Sequence, residues 1–271
     1  MPLILVNDME YTIQKDGFSE LVLEQDADMN CTIVVDKQRH ASLLLTYSGI
    51  DVKRVLNIHV GRDSTLTLMV KNEVLAHLTL KFLASVEANA SLSLALCELN
   101  QNEVDVEGTI NLKENGASTL LRSATLASNQ KHFVLEVQHH APYTSGIMEH
   151  YAIVKETGNY FMQATGKIRK GAYGSASHQT TRVLTMSEKH NSEVIPLLLI
   201  DEHDVKASHA CTLGQLDEHQ LYYLQTRGLS RELALGLLSI GYMMPISEMF
   251  EDEEINQKLK NEIEMKVGLH A

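Results

Sequence analysis

The feature that most constrains the fold is a recurrence. A small polar turn followed by Ser/Thr-Leu appears at Thr65-Leu66, Ser91-Leu92 and Thr119-Leu120, 26 and 28 residues apart. Turn signals precede each one: Gly61-Arg62-Asp63-Ser64, Ala88-Asn89-Ala90 and Glu114-Asn115-Gly116-Ala117, with Lys170-Gly171-Ala172 further on. The segments between them alternate, as in Val55-Leu56-Asn57-Ile58-His59-Val60, Thr65-Leu66-Thr67-Leu68 and Phe133-Val134-Leu135-Glu136-Val137. A period of two places the apolar members on one face of a strand. A repeat of this length with two strands per unit cannot bury its inner face alone. It does so only against the next copy, which is the requirement of a β-solenoid. Evenly spaced hairpins in a sandwich would alternate in the same way, so periodicity leaves both architectures open.

The pattern changes after Gly214. Asp217 is suited to cap a helix, with Glu218 in its first turn and Gly228 as a left-handed stop. Ser230 caps a second helix, whose apolar rows are Leu233, Leu237, Gly241 and Ala234, Leu238, Tyr242, and Pro245 is expected to end it. A third helix is expected from Ile246 to about Val267, with Glu254, Lys258 and Glu262 on one solvated face, as in a soluble tail. The chain therefore divides into a β core over 1–212 and a small helical domain over 213–271.

Composition excludes several functions. The net charge of -12 repels a phosphate backbone, so nucleic acid is not an expected partner. The longest apolar run, Val194 to Ile200, is far short of the roughly 20 residues that span a bilayer. The stretch Met1 to Asp8 has no basic region and does not read as a signal peptide. Cys31, Cys97 and Cys211 form no CxxC and read as reduced thiols of a cytoplasmic protein. No HExxH or Gly-x-Ser-x-Gly is present, and Gly166-Lys167 is followed by Ile168 rather than Ser or Thr, so neither catalysis nor nucleotide binding is expected. His139-His140 with Glu149-His150 is a weak metal candidate, because alternation sends the two adjacent histidines to opposite faces. His209 and Cys211, two apart, share one face of a strand; thiolate and imidazole together suit soft iron. A half-buried thiol beside a hydrogen-bonded imidazole at a strand end fits the same spacing.

Longer motifs carry a resemblance. Val205-Lys206-Ala207-Ser208-His209-Ala210-Cys211-Thr212-Leu213-Gly214-Gln215-Leu216-Asp217 leads into a Tyr-Leu helix and then Arg227-Gly228-Leu229-Ser230. Upstream stand His140-Ala141-Pro142-Tyr143-Thr144-Ser145-Gly146, then Gly166-Lys167-Ile168 through Gly171-Ala172, then Gln179 through Arg182 to Leu184. From about Gln138 to Met244 the chain resembles the C-terminal core of the SufB/SufD family, the scaffold subunits of iron–sulfur cluster assembly. It resembles a short SufD-like or undifferentiated member, since strands begin almost at once, where family members often carry a helical N-terminal domain. Three positions depart from the family pattern. Ala210 stands where SufB-like chains have Glu, Ala207-Ser208-His209 replaces Cys-Ser-His, and His190 stands near the place of a cysteine used by SufB-type scaffolds.

The resemblance implies a mainly β fold, a right-handed parallel β-helix followed by the helical domain. It implies a non-enzymatic scaffold or accessory subunit that pairs with itself or with another SufB/SufD-type chain. A SufC-like ABC ATPase would dock through Leu233, Leu237, Leu238 and Tyr242. A transient iron–sulfur cluster at the dimer interface would have His209, Cys211 and His190 as candidate ligands. The alternative is a stand-alone β-solenoid that serves as an interaction module or acts on carbohydrate.

Overall fold

The computed structural model describes residues 7–24, 29–155, 157–186, 188–250 and 253–267. Its coils are set by a column of turns. Gln38, Asp63, Asn89, Gly116, Tyr143 and Gly174 have positive φ, between 53° and 73°, at spacings of 25, 26, 27, 27 and 31 residues. Each of the first five donates its N–H to the carbonyl just before the next: Asp63 to Ala88 at 2.9 Å, Asn89 to Asn115 at 3.1 Å, Tyr143 to Tyr173 at 2.9 Å. Asp, Asn and Gly tolerate this left-handed region best, which is why the turn signals were legible. Tyr143 is held there by packing, with its ring edge-on to Tyr173 at 5.3 Å.

Fourteen strands follow from this winding: β1 (Asn7–Ile13), β2 (Gly17–Glu24), β3 (Met29–Val35), β4 (His40–Val60), β5 (Thr65–Val86), β6 (Ser91–Glu98), β7 (Glu103–Leu112), β8 (Ser118–Ala127), β9 (Gln130–His139), β10 (Ser145–Val154), β11 (Asn159–Ile168), β12 (Ala176–Thr185), β13 (Asn191–Ile200) and β14 (Lys206–Gln215). They form one parallel sheet folded on itself into a β-solenoid of about seven turns. The first half of β5 pairs with β6 and its second half with β7. One wall then continues β7-β9-β11-β13 and the other β6-β8-β10-β12-β14. Among the described residues the first strand opens at Asn7, and β14 runs to Gln215.

Register decides what fills the space between the walls. Leu68, Leu94, Leu121, Met148, Gln179 and His209 stack in one inward column, and Val70, Leu96, Ser123, His150, Thr181 and Cys211 in the next. Both columns turn from aliphatic to polar along the chain. Large and small residues complement one another. Gly108 pairs with Phe82, and a Cβ on Gly108 would lie 2.0 Å from the Phe82 ring. One sequence expectation shifts: Ser91 pairs with Ser118, not Thr119. A slip of one residue exchanges the faces, so Thr119 points inward, buried, and Leu120 outward. Thr119 is accommodated by donating its hydroxyl to Leu92 O at 2.8 Å.

Three helices follow: α1 (Glu218–Thr226), α2 (Arg231–Ser247) and α3 (Glu253–Val267). Asp217 and Ser230 cap the first two as expected, accepting from His219 N and Leu233 N, and Gly228 has φ +94°. Pro245 does not end α2, which continues to Ser247. A proline ring is disruptive because it meets the carbonyl four residues back. Here that residue is Gly241, only two helical residues follow Pro245, and Arg122 Nη1 donates to Pro245 O at 3.2 Å. The third helix accordingly starts at Glu253 rather than Ile246. It is no solvated tail. Ile255, Leu259 and Ile263 are buried with Ile240, Met243 and Ile246 of α2 against Met69, Ala95, Cys97 and Ala124 on the outer face of β5, β6 and β8. Each such side chain contributes roughly 1.5–3 kcal/mol by leaving water. Glu254 pairs with Lys258 in solvent, but Glu262 turns inward to Lys71 at 2.8 Å.

Candidate functional site at the open end

The last coil is uncapped. β13 pairs only with β11 and β14 only with β12, so among the described residues their outer edges are unpaired. Pro196 sits in β13 without penalty because an edge strand can lack one donor. Inward residues that would be buried one coil earlier are open here. Ile200 and Leu213 are 40% and 45% exposed, and Val194 and Leu198 are half-buried; Leu199, in register with the outward Lys167, adds a 47% exposed apolar side chain on the outer face of the same strand.

His209 and Cys211 lie on this end. Their register partners are Gln179 and Thr181, both buried and inward-facing, so the two side chains share the inner face of β14. Both are exposed, since no coil among the described residues stacks on them. Partial burial raises the Cys211 thiol, which is therefore protonated at neutral pH until a metal or another charge stabilises its thiolate. Two buried groups missed from the sequence border the same space. Gln179 donates to Leu197 O at 2.9 Å and leaves Oε1 unpaired. The Tyr160 hydroxyl has no hydrogen-bond partner, and burial followed by the charge of Cys211 holds its phenol well above the usual range. Below them His150 hydrogen-bonds Ser123 at 2.9 Å, and burial pushes it down to about 3.

His190 lies elsewhere. It sits in the turn entering β13, hydrogen-bonded to Ser192 at 2.9 Å. Thr185, where the chain leaves for that turn, pairs with Gln215, six residues along β14 from His209. That is about 20 Å at strand rise. One chain thus brings His209 and Cys211 together but not His190. Among the described residues no three His, Cys, Asp or Glu side chains are placed to hold a metal ion. His139 binds Thr144 at 2.8 Å, His140 binds Asn111 at 2.8 Å and Glu149 binds Arg122 at 2.7 Å, so the weaker histidine candidate is dispersed.

The helical domain offers a second surface. Leu233 and Leu237 are 43% and 45% exposed, while Leu238 and Tyr242 are half-buried and Tyr242 packs against the cluster beneath α2. Tyr222 and Tyr223 on α1 are also exposed, at 69% and 56%. No described helix is long and apolar enough to cross a membrane.

A family model, the SufBD core domain of the SUF system for FeS cluster assembly, matches residues 21–242. The chain belongs to the SufBD core family. Among its relatives, the iron-sulfur cluster assembly protein SufD of Bacillus subtilis (strain 168) is 30% identical over 181 residues, 66% of this chain and 41% of that protein. SufB of the same organism is 27% identical over 189 residues, 64% of this chain and 41% of the relative. SufD of Escherichia coli (strain K12) is 26% identical over 149 residues, 54% and 35% respectively. The chain thus spans about two-fifths or less of the length of these family members.

Proposed function

We propose that this chain is a scaffold or accessory subunit of an iron–sulfur cluster assembly complex and performs no catalysis of its own. The observation that carries the reading is the uncapped last coil. It joins unpaired strand edges, exposed apolar side chains and the His209/Cys211 pair in a SufBD-family solenoid. Unpaired edges with an apolar border are a template for another chain. The partner is a second SufB/SufD-type chain, identical or distinct.

The cluster is cargo. A single thiol per chain is too few for it, since iron–sulfur clusters are held by several thiolates or imidazoles. His209 and Cys211 therefore act as half of a site that the paired chain completes. A SufC-like ABC ATPase docks on the exposed rows of α1 and α2, and its nucleotide cycle moves the helical domain against the solenoid. Family membership favours this role over a stand-alone or carbohydrate-active solenoid.

Anaerobic reconstitution of the paired complex, read by visible absorption and by bound iron and sulfide, tests the ligand role. Cys211→Ser is expected to lose most of the cluster and His209→Ala to lower its yield several-fold. If both variants keep wild-type iron and sulfide, these residues are not ligands and the subunit only braces its partner.

A further inference from the structure

Away from the open end, a chain of hydrogen bonds connects the solenoid interior to the last turn of α3. Glu98, at the end of β6, and Lys131, on β9 in the opposite wall, are both fully buried. They are linked through two amides. Lys131 donates to Asn102 Oδ1 at 3.0 Å, and Asn72 Nδ2 donates to that oxygen at 3.2 Å and to Glu98 Oε2 at 2.6 Å. The Asn72 backbone carbonyl accepts from Asn100 Nδ2 at 2.8 Å, and Asn100 Oδ1 accepts from the Lys266 ammonium at 2.6 Å. Glu98 Oε1 and Asn102 Nδ2 have no partner. An interior with orphaned polar atoms and two ionisable groups costs stability, and nothing in the cluster-handling role uses it.

The charges of this interior act on Lys266. Burial pushes Glu98 up to about 7, against the pull of Lys131, the Asn72 bond and Lys266. Burial pulls Lys131 down to about 8, with Glu98 opposing and Lys266 adding to the fall. With Glu98 raised and Lys131 lowered, the pair carries net positive charge in mild acid and net negative charge in base. Lys266 is repelled in the first state and attracted in the last. The other charged groups at this contact hold still. Against the cost of burial, bonds from Lys266 and Lys71 keep the Glu262 carboxylate low, and bonds to Glu262 and Glu73 keep Lys71 high. Burial pushes Cys97 up to about 12. Glu73 is tied to Lys71 at 2.7 Å on the solvent side. The interior pair is enclosed by the two walls, whereas α3 lies on the outside of one of them, so lifting α3 leaves Glu98 and Lys131 buried and removes chiefly the interaction with Lys266.

We propose that the buried Glu98–Lys131 pair is a pH-sensitive seat for α3, which repels Lys266 in mild acid and draws it in as the pH rises, so that the helix is fastened more tightly at pH 9 than at pH 6. The seat belongs to the fold itself and is independent of whether the helical domain docks an ATPase.

Hydrogen exchange of the intact chain, followed by mass spectrometry on peptides covering 253–267, tests it. After correction for intrinsic exchange, protection of α3 in the wild type is expected to rise roughly fivefold from pH 6 to pH 9. Lys266→Met is expected to remove that slope. Glu98→Gln removes the anion, so α3 at pH 8 to 9 is expected to be less protected than in the wild type and the rise above pH 7 to be lost, with peptides from β8 to β10 unchanged. If Glu98→Gln does not fold, Lys266→Met decides alone, since it leaves the interior intact. A flat wild-type profile, or an unchanged slope in Lys266→Met, overturns the proposal.

Discussion

His150 shows how position sets the chemistry of a residue in this solenoid. It is fully buried between Ser123 and Thr181 and is held neutral, with its affinity for a proton pushed down to about 3 by burial. The unfolded chain binds that proton near pH 6.5. The contribution of His150 is therefore intact above pH 6.5 and is lost as pH falls toward 3. Glu98 works in the opposite sense, because its raised value favours the folded state as pH falls from about 7 toward its unfolded value. Comparison with His150→Asn isolates the histidine. Between pH 7 and pH 5 the wild type is expected to lose about 2 kcal/mol relative to the variant, measured by urea midpoints at each pH. An equal shift in both proteins would mean that His150 takes up its proton without opening the fold. Alternation in the sequence separated His139 from His140, but whether His150 faced inward depended on its pairing with Ser123 in the preceding coil.

At the scale of elements, the caps and stops of the helices are local and were legible in the sequence: Asp217, Gly228 and Ser230 all act as expected. The length of α2 was not, because its tolerance of Pro245 depends on Gly241 and on Arg122, 123 residues away. The apolar series Ile255, Leu259, Ile263 has helical spacing, yet the surrounding charge made α3 read as a solvated tail; the wall beneath it decided otherwise. The exposures along α2 also sharpen the docking test. Leu237→Asp is expected to abolish co-elution with a SufC-like ATPase while leaving the melting temperature within about a degree, as for a surface change. Leu238→Asp, half-buried, is expected to lower stability by about 1–3 kcal/mol as well and so to confound the two effects. Wild-type co-elution of a folded Leu237→Asp would remove this face from the interface.

At the scale of the whole molecule, the solenoid ends on an apolar border that no described residue covers. Pairing through that end predicts a concentration-dependent dimer, of this chain alone or with a SufB/SufD-type partner. Sedimentation equilibrium of the wild type, alone and mixed with such a partner, is expected to show it. The double variant Leu199→Asp, Leu213→Asp is expected to sediment as a monomer with little change in melting temperature, since both side chains are nearly half exposed in the single chain. A dimer that survives the double variant would place the contact elsewhere.

The sequence by itself determined the local terms: strand alternation, left-handed turn residues, helix caps, and the motifs that resemble the family. These depend on residues within a few positions of one another, where backbone preference and period act directly. The tertiary structure decided the rest. Ser91 aligns with Ser118 rather than Thr119 because turns stack across 25 to 31 residues, and that alignment fixes which polar groups enter the interior. It separated His190 from His209 and Cys211, because a strand is stiff and the turn lies at its far end. It also buried Glu98 and Lys131 in one network and left His209 and Cys211 open, since burial in a solenoid depends on whether another coil follows and not on the residue itself.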